Sequence, residues 1–540
     1  MIIRKKPARP HGLNEPFRHE NHPRPMTRRE LIGAGFMAGP AIVTGSAWLG
    51  MLLKSARARG AVALDADITA LKAAGQCNIN TQGAGMIPFI AFDLAGGANL
   101  VGSEALVGTQ GGQLNFLSTA GYNKLGLPGN MLPNSPTFVS TALGLAWHSD
   151  GAILRGIMSK ASAATQAATN GAVIAAMSQN DTQNNPHNPM YGIAEVGAKG
   201  SLLTLIGTES SVSGGNSQAP AAMIQATLQP TKIDQASDDT GLVSTGTSTV
   251  SPDQVAVLES QARISAGTSL YNAGAPSPTA FTSSKLGDVQ IFSDQVADAT
   301  LKNQVRCQYV TTANTAAAFG DPTTLNPDLD ANIVGASGIF STAEYQGSSD
   351  FRATAAVMKL VVNGFAGAGT ITLGGYDYHD STRATGEQKN FNAGVCIGAV
   401  LEYAKRVGTP VMIYVFSDGS LSSTGMADNS TNGRGKLGWQ GDNQSTASTF
   451  FLAYSPKGRP TPISASSQQI GYFNSDGSVN TTSSPAANAV NLLVQTVVLN
   501  YLALHGKQAQ FASLLAAQGV MQGLGSASSW DALTALAPIV

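Results

Sequence analysis

The chain has 540 residues, of which 43% are hydrophobic and 12% are charged, and its formal net charge is −1. This length suits one large domain with insertions, or two to three domains. The first 60 residues hold 11 of the 32 basic residues but 3 of the 33 acidic ones, so the rest carries a net charge of −9. Such a charge argues against a nucleic-acid-binding protein, which shows a basic stripe.

An export signal is predicted near the amino terminus. Arg28 and Arg29 stand before an uncharged stretch over 31–53, and the string over 27–32 resembles the twin-arginine signal of bacteria. It implies that the twin-arginine translocase carries the folded chain to the periplasm, the cell surface or the medium. The alternative is a membrane anchor, because about 20 apolar residues can span a bilayer. With cleavage, the mature protein begins near residue 60.

The first half of the exported part is predicted to be rich in loops. Polar residues over about 179–285 indicate a long insertion. Apolar patterns and turn residues predict the regular elements of this half. They are, in chain order, a helix over 65–74, a strand over 87–94, helical structure over 152–178, a strand over 201–207, and helices over 252–273 and 289–319.

The second half shows a regular alternation of helix and strand. Alternation of this kind is typical of parallel strands joined by helical crossovers. The predicted elements are a helix over 350–365, strands over 369–374, 410–416 and 448–454, a helix over 386–407, a polar loop over 417–446, and helices over 485–504 and 507–518. We therefore predict an α/β fold with a central, mostly parallel sheet and flanking helices.

Polar residues next to glycine follow three of the predicted strands. They lie at 96–99, at 374–380 and at 417–419. Because ligands bind beyond the carboxyl ends of strands in open parallel sheets, these segments are candidates for a functional site. Asp377 and His379 are two residues apart, which in extended backbone places both side chains on one side, where they can bind a metal ion. The alternative is a hydrogen-bonded turn at a strand end.

The order of these motifs resembles that of a bacterial family of unknown function that is exported by the twin-arginine pathway. That family is related to the alkaline phosphatase and sulfatase superfamily. The resemblance rests on a first strand that ends in Gly-Gly, the Gly-Gly-Tyr-Asp-Tyr-His string at 374–379, Phe391, the strand and serine at 410–417, and Gly-Asp-Asn at 441–443. It implies an alkaline-phosphatase-like α/β domain over 61–540.

The resemblance also implies a reduced metal site. Asp377, His379 and Asp442 match metal ligands of the family, and His187 corresponds less closely to an earlier histidine. Two other ligand positions of the family carry amides here, because Asn99 replaces an acid and Asn443 replaces a histidine. We therefore expect one divalent ion, Zn, Ca or Mn, or none. No serine or threonine stands out as a nucleophile.

Two functions follow from this sequence. The first is an exported, metal-dependent hydrolase of phosphate or sulfate esters. The second is a non-catalytic surface or structural protein that binds a partner or assembles with itself. A stretch that begins at Asp428 resembles a calcium-binding loop, but Trp439 occupies the twelfth position, where such loops have a bidentate Glu. A polar turn is the expected structure there.

Overall fold

A computed structural model describes residues 85–178, 185–243, 322–516 and 523–540, with five isolated residues elsewhere. The chain divides into two compact units, Met1–Cys77 with Gly241–Pro322 and Asn78–Thr240 with Thr323–Val540. Nearly all described residues belong to the second unit. The twin-arginine segment and the predicted helices over 65–74, 252–273 and 289–319 lie outside the described residues. No helix among those described is both long and apolar enough to cross a membrane.

The second unit contains twelve described strands. Predicted strands over 87–94, 201–207, 369–374, 410–416 and 448–454 are all present, with shifts of up to three residues at their ends. The twelve are β1 Phe89–Leu94, β2 Val139–Ser140, β3 Trp147–His148, β4 Thr169–Ala175, β5 Leu203–Gly207, β6 Thr231–Lys232, β7 Ala366–Leu373, β8 Val411–Ser417, β9 Leu421–Ala427, β10 Leu437–Asp442, β11 Ser448–Tyr454 and β12 Gln469–Ile470.

Eight of these strands form one sheet, in the order β12-β4-β11-β8-β1-β7-β5-β6. Within this described sheet, β11 alone runs antiparallel to its two neighbours, β4 and β8. The other pairs are parallel. The prediction of a mostly parallel α/β sheet is therefore confirmed. β9 pairs with β10 in a separate antiparallel hairpin.

Helices cover both faces of the sheet. The described α-helices are α1 Thr119–Lys124, α2 Ala152–Lys160, α3 Ala163–Ala167, α4 Met190–Glu195, α5 Ala236–Gly241, α6 Thr342–Gly347, α7 Ser349–Val362, α8 Ala384–Val407, α9 Val490–Leu504, α10 Phe511–Ala516 and α11 Ala527–Trp530. The predicted helices over 350–365 and 386–407 correspond to α7 and α8.

The alternation of side chains along β1 explains why both faces need cover, because neighbouring residues of a strand point to opposite faces. Phe89 belongs to a buried apolar cluster that includes Val494 and Val498 of α9. On the other face, Ile90 pairs with Gly369, where a Cβ atom would lie 2.6 Å from Cγ1 of Val357 on α7. Burying an aliphatic or aromatic side chain in this way contributes about 2 kcal/mol each.

The helical prediction over 152–178 is partly wrong. α2 and α3 occupy its first part, but 169–175 form β4, which lies between β11 and β12. A short apolar run such as 171–175 fits a buried strand as well as a helix, so periodicity alone does not separate them. Close contact with β11 decides the outcome, because a Cβ atom at Gly171 would lie 2.2 Å from the carbonyl oxygen of Phe451.

Two predicted loop regions contain strands of their own. The polar loop over 417–446 includes the β9–β10 hairpin, and the insertion over 179–285 adds the unpredicted β6 to the main sheet beside the predicted strand β5. Both cases have the same cause. Serine, threonine and glycine dominate these stretches, and their low hydrophobicity hides strands whose stability comes from pairing with neighbours.

Candidate metal centre

The site is built at one edge of the sheet, where β8, β1 and β7 end side by side. The three strands are parallel and in register, so that Leu94 pairs with Ser417 on one side and with Leu373 on the other. The segments that follow them therefore emerge at the same edge, which we call the carboxyl edge. The segments at 96–99, 374–380 and 417–419 therefore meet at this edge, as a site formed by all three would require.

Gly96 and Gly97 lie between the segments that carry the predicted ligands. Gly96 has a φ of +127°, a conformation that favours glycine, and a Cβ atom there would lie 2.4 Å from the backbone nitrogen of Asp377. A Cβ atom at Gly97 would lie 3.7 Å from Oδ1 of Asp442. Gly96 thus lets the turn after β1 approach the Asp377 segment, and Gly97 lies beside Asp442 at ordinary contact distance.

Three of the four predicted ligands come together. One ligand atom each from Asp377, His379 and Asp442 lies within 4.8 Å of the other two. Nε2 of His379 is 2.8 Å from Oδ1 of Asp377, and these two side chains are 41% and 45% exposed. Asp442 is also exposed. We call these three residues the triad, and no other group of this kind occurs in the described part of the chain.

The donor set of the triad fits a divalent metal ion. Zinc and related ions accept imidazole nitrogen and carboxylate oxygen, and three protein ligands leave coordination positions for water or substrate. Calcium prefers six to eight oxygen ligands, so an imidazole makes the triad less suited to it. The exposed position gives an ion and a small ligand access from solvent.

The loop that carries Asp377 and His379 is closed by the next residue. Asp380 accepts hydrogen bonds from the backbone nitrogen of Thr382 at 3.0 Å and from the hydroxyls of Thr382 and Thr385 at 2.8 Å each. Partial burial opposes ionisation of Asp380, but these hydrogen bonds outweigh it and lower its pKa. Asp380 therefore shapes the loop that presents the two ligands.

His187, the fourth predicted ligand, does not belong to the triad. It is 1% exposed, and its Nε2 lies 3.0 Å from Oγ of Ser178. Its ring stacks on Phe416, with 5.9 Å between ring centres. Burial lowers the pKa of His187 to about 3, so the ring is neutral at physiological pH. Its Nδ1 is buried without a hydrogen-bond partner.

Asn99 and Asn443 serve the backbone. Asn99 is fully buried, where its side-chain oxygen accepts from the nitrogen of Val101 and its side-chain nitrogen donates to the carbonyl of Leu421 at 3.3 Å. Asn443 accepts from the backbone nitrogen and the hydroxyl of Ser445, at 3.1 and 2.7 Å, and so caps the 3₁₀ turn Gln444–Thr446. Where the resemblance implies ligands, these amides hold turns.

Asp93 is a buried carboxyl group that the sequence analysis missed. It lies on β1 and accepts hydrogen bonds from the nitrogen and hydroxyl of Ser217 at 2.7 and 3.2 Å. Burial, with a smaller contribution from the charge of Asp418, raises its pKa to about 7. An acidic residue inside the apolar run over 87–94 was the available signal, because aspartate is seldom buried without partners.

Ser178 is buried within a network of hydrogen bonds. Its hydroxyl donates to the carbonyl oxygen of Asp418 at 2.6 Å and accepts from the side-chain nitrogen of Asn185 at 3.1 Å. The side chain is 1% exposed. Ser178 therefore supports the turn after β8 and is shielded from the solvent in which the triad stands.

Comparisons with known proteins found no relative of this chain. No family model matches it, and neither a curated protein nor a solved structure does. The resemblance to the alkaline phosphatase and sulfatase superfamily therefore stays a prediction that rests on the motifs themselves.

Proposed function

We propose that this protein binds one divalent metal ion through Asp377, His379 and Asp442, and that it hydrolyses phosphate or sulfate esters after export by the twin-arginine pathway. One observation carries the proposal. Ligand atoms from two segments, which are more than 60 residues apart in sequence, lie within 4.8 Å of one another at the exposed carboxyl edge. The ends of parallel strands are where ligands bind in open α/β sheets.

Each residue of the triad has a distinct role in the proposed site. Asp377 and Asp442 supply negative charge for the ion, and His379 supplies a nitrogen ligand. When bound, the ion acts as a Lewis acid toward the phosphoryl or sulfuryl oxygen of an ester. The exposure of the triad leaves room for such an ester to approach.

Metal content is the first test. The full chain is purified from its native compartment, and its metal is measured by elemental analysis and by calorimetric titration with Zn²⁺ and Mn²⁺ after chelation. We expect about one ion per chain, the number that three ligands support, and its loss in the Asp377→Ala, His379→Ala double variant. Asp531→Ala removes an exposed carboxylate far along the chain and serves as the control.

Each outcome of this test decides the proposal. Binding in the wild type and the control, with loss in the double variant, supports the site and justifies a screen of phosphate and sulfate esters. A wild-type protein that takes up neither ion contradicts the proposal.

The second candidate function, a non-catalytic surface or structural protein, draws support from the two amides. Asn99 and Asn443 hold turns, so the remaining ligands suffice for at most one ion. This candidate predicts that the metal-loaded protein hydrolyses no ester in the screen. It also predicts partner binding or self-association, which analytical ultracentrifugation at increasing protein concentration measures.

A further inference from the structure

The triad depends on the contact between two parts of the chain. Asp377 and His379 lie in the loop between β7 and α8, whereas Asp442 ends β10 of the β9–β10 hairpin. The three ligands meet only while the hairpin stays in place against the start of α8. The groups that hold the hairpin in place therefore determine whether the three ligands are already together in the metal-free protein.

The pairing within the hairpin does not by itself fix the direction of Asp442. The register between β9 and β10 shifts twice, once between Leu437 and Trp439 and again between Gln440 and Asp442. A shift of one residue turns a side chain to the opposite face of a strand. Contacts from outside the hairpin must therefore fix its position.

Backbone contacts join the hairpin to the ligand loop. The nitrogen of Ser381 donates to the carbonyl of Trp439 at 2.9 Å, and the nitrogen of Trp439 donates to the carbonyl of Thr382 at 3.0 Å. The guanidinium of Arg383 lies 4.5 Å from the centre of the Trp439 ring. These contacts lie three residues before Asp442 and two to four residues after His379.

A buried ammonium group completes this attachment. Lys436 is fully buried just before β10, and its Nζ lies 2.8 Å from Oε1 of Glu387 on α8. Its Nζ also donates to the carbonyl oxygen of Asp150 at 2.6 Å and lies 3.4 Å from the carboxylate of that residue. Burying a charge is expensive unless partners with good geometry surround it, and Lys436 meets these partners in one position of the hairpin.

We propose that Lys436 is a positioning residue for the metal site. Its ammonium, held between Glu387 and Asp150, fixes the register of the hairpin and with it the place of Asp442 beside Asp377 and His379. This inference rests on the proposed metal binding, and it adds the residue that assembles the site without contacting the ion.

The test compares three lysine variants. Lys436→Met keeps the aliphatic stem and removes the charge, whereas Lys436→Arg keeps the charge. Lys405→Met is the control, because Lys405 lies at the far end of α8, about 27 Å from Glu387, where its own side chain is 40% exposed and pairs with the buried Glu402. Zn²⁺ affinity is measured by calorimetry, and hydrogen exchange is measured for the peptide over 421–442.

We expect Lys436→Met to weaken Zn²⁺ affinity about tenfold or more, as loss of a supporting group around metal ligands does. Lys436→Arg retains more of the affinity, and Lys405→Met retains all of it. Faster exchange over 421–442 accompanies the loss in Lys436→Met. Wild-type affinity and exchange in Lys436→Met would overturn the inference.

The exchange measurement separates this inference from the proposed function. If the wild type binds no metal, the proposed function fails, and the metal role of Lys436 fails with it. The exchange data still test whether Lys436 attaches the hairpin. Faster exchange in Lys436→Met but not in Lys405→Met supports this role, and unchanged exchange in Lys436→Met contradicts it.

Discussion

Two sets of polar side chains lie at the carboxyl edge, and they differ in their burial. The buried set, which consists of Asp93, Asn99, Ser178 and His187, takes hydrogen bonds from the chain itself. The triad stands in solvent. Aspartate and histidine occur in both sets, so residue type does not determine the role. Burial and neighbouring donors do.

This difference has an energetic consequence. A polar group that is buried with its partners contributes to stability, because its removal leaves those partners unsatisfied. Replacing an exposed side chain usually changes stability by less than about 0.5 kcal/mol. Substitutions in the buried set should therefore change the free energy of unfolding or its pH dependence, whereas substitutions in the triad should change metal binding.

The largest effect is expected from Asp93→Asn. The pKa of Asp93 is raised to about 7 in the folded protein, from an ordinary value of 3.8. The folded state thus binds more protons, so the stability that the neutral carboxyl group contributes is present below pH 4 and is lost as the pH rises to about 7. Asparagine has no proton to lose, and the variant should be more stable than wild type at pH 8 by up to about 4 kcal/mol.

Urea unfolding of both proteins between pH 4 and pH 9 measures this difference. Asp531→Asn, the same substitution at an exposed position, is the control. Parallel pH profiles for wild type and Asp93→Asn would show that Asp93 is ionised at little cost and that the contrast between the two sets is smaller than we infer.

A comparison of two histidines comes next. His187→Ala removes a fully packed ring and its contacts with Phe416 and Ser178, and it should lower the free energy of unfolding by about 3 kcal/mol. His379→Ala removes a ring that is 41% exposed and should change it by less than about 0.5 kcal/mol. Zn²⁺ affinity should show the reverse order. Equal loss of Zn²⁺ affinity in both variants would indicate that His187 also contributes to metal binding.

Asn99→Asp tests whether an acid at this position restores a ligand. The side-chain nitrogen of Asn99 donates to the carbonyl of Leu421, and a carboxylate oxygen in its place would repel that carbonyl. We expect a loss of about 2 kcal/mol of stability and no second equivalent of metal. Asn443→Asp is the matched control, because Asn443 uses its oxygen as the acceptor and a carboxylate keeps that role.

Most of the sheet was open to prediction from sequence, and the reason is visible in β8 and β11. Both are apolar runs rich in β-branched or aromatic residues, and both are buried along their whole length, as such runs predict. β4 was missed because Ala172 and Ala175 favour a helix by intrinsic propensity, whereas the contact of Gly171 with Phe451 across the sheet decides the structure. The β9–β10 hairpin was missed because most of its residues are polar or glycine, and its attachment through the backbone of Trp439 and the buried Lys436 depends on tertiary packing.

The part of the site that short sequence motifs carry was predicted. Asp377 and His379 are neighbours in sequence, and Asp442 was added by the order of motifs, so these three were within reach. The role of His187 was not, because burial beside Phe416 and the bond to Ser178 depend on tertiary packing. Asp93 was missed for the same reason, since the loop that supplies Ser217 lies more than 120 residues away in sequence.

The smallest effect compares two carboxylates at the surface. Asp428 accepts from the backbone nitrogens of Arg383 and Ala384 at the start of α8, a helix without a side-chain cap of its own. Hydrogen bonds, that of the Ser430 side chain first, lower the pKa of Asp428 to about 2. Asp428→Ala should therefore destabilise the metal-free protein by about 1 kcal/mol at pH 7, as loss of a helix cap does.

The pH dependence and a second aspartate sharpen this last prediction. The contribution of Asp428 is present above pH 4 and is lost as the pH falls toward 2, so wild type and Asp428→Ala should converge there. Asp377→Ala should leave the stability of the metal-free protein nearly unchanged at pH 7, because that carboxylate is half exposed at the edge of the triad. Urea unfolding after chelation measures both. If Asp377→Ala loses as much stability as Asp428→Ala, the triad is part of the scaffold, and the distinction between structural and ligand-binding carboxylates at this edge fails.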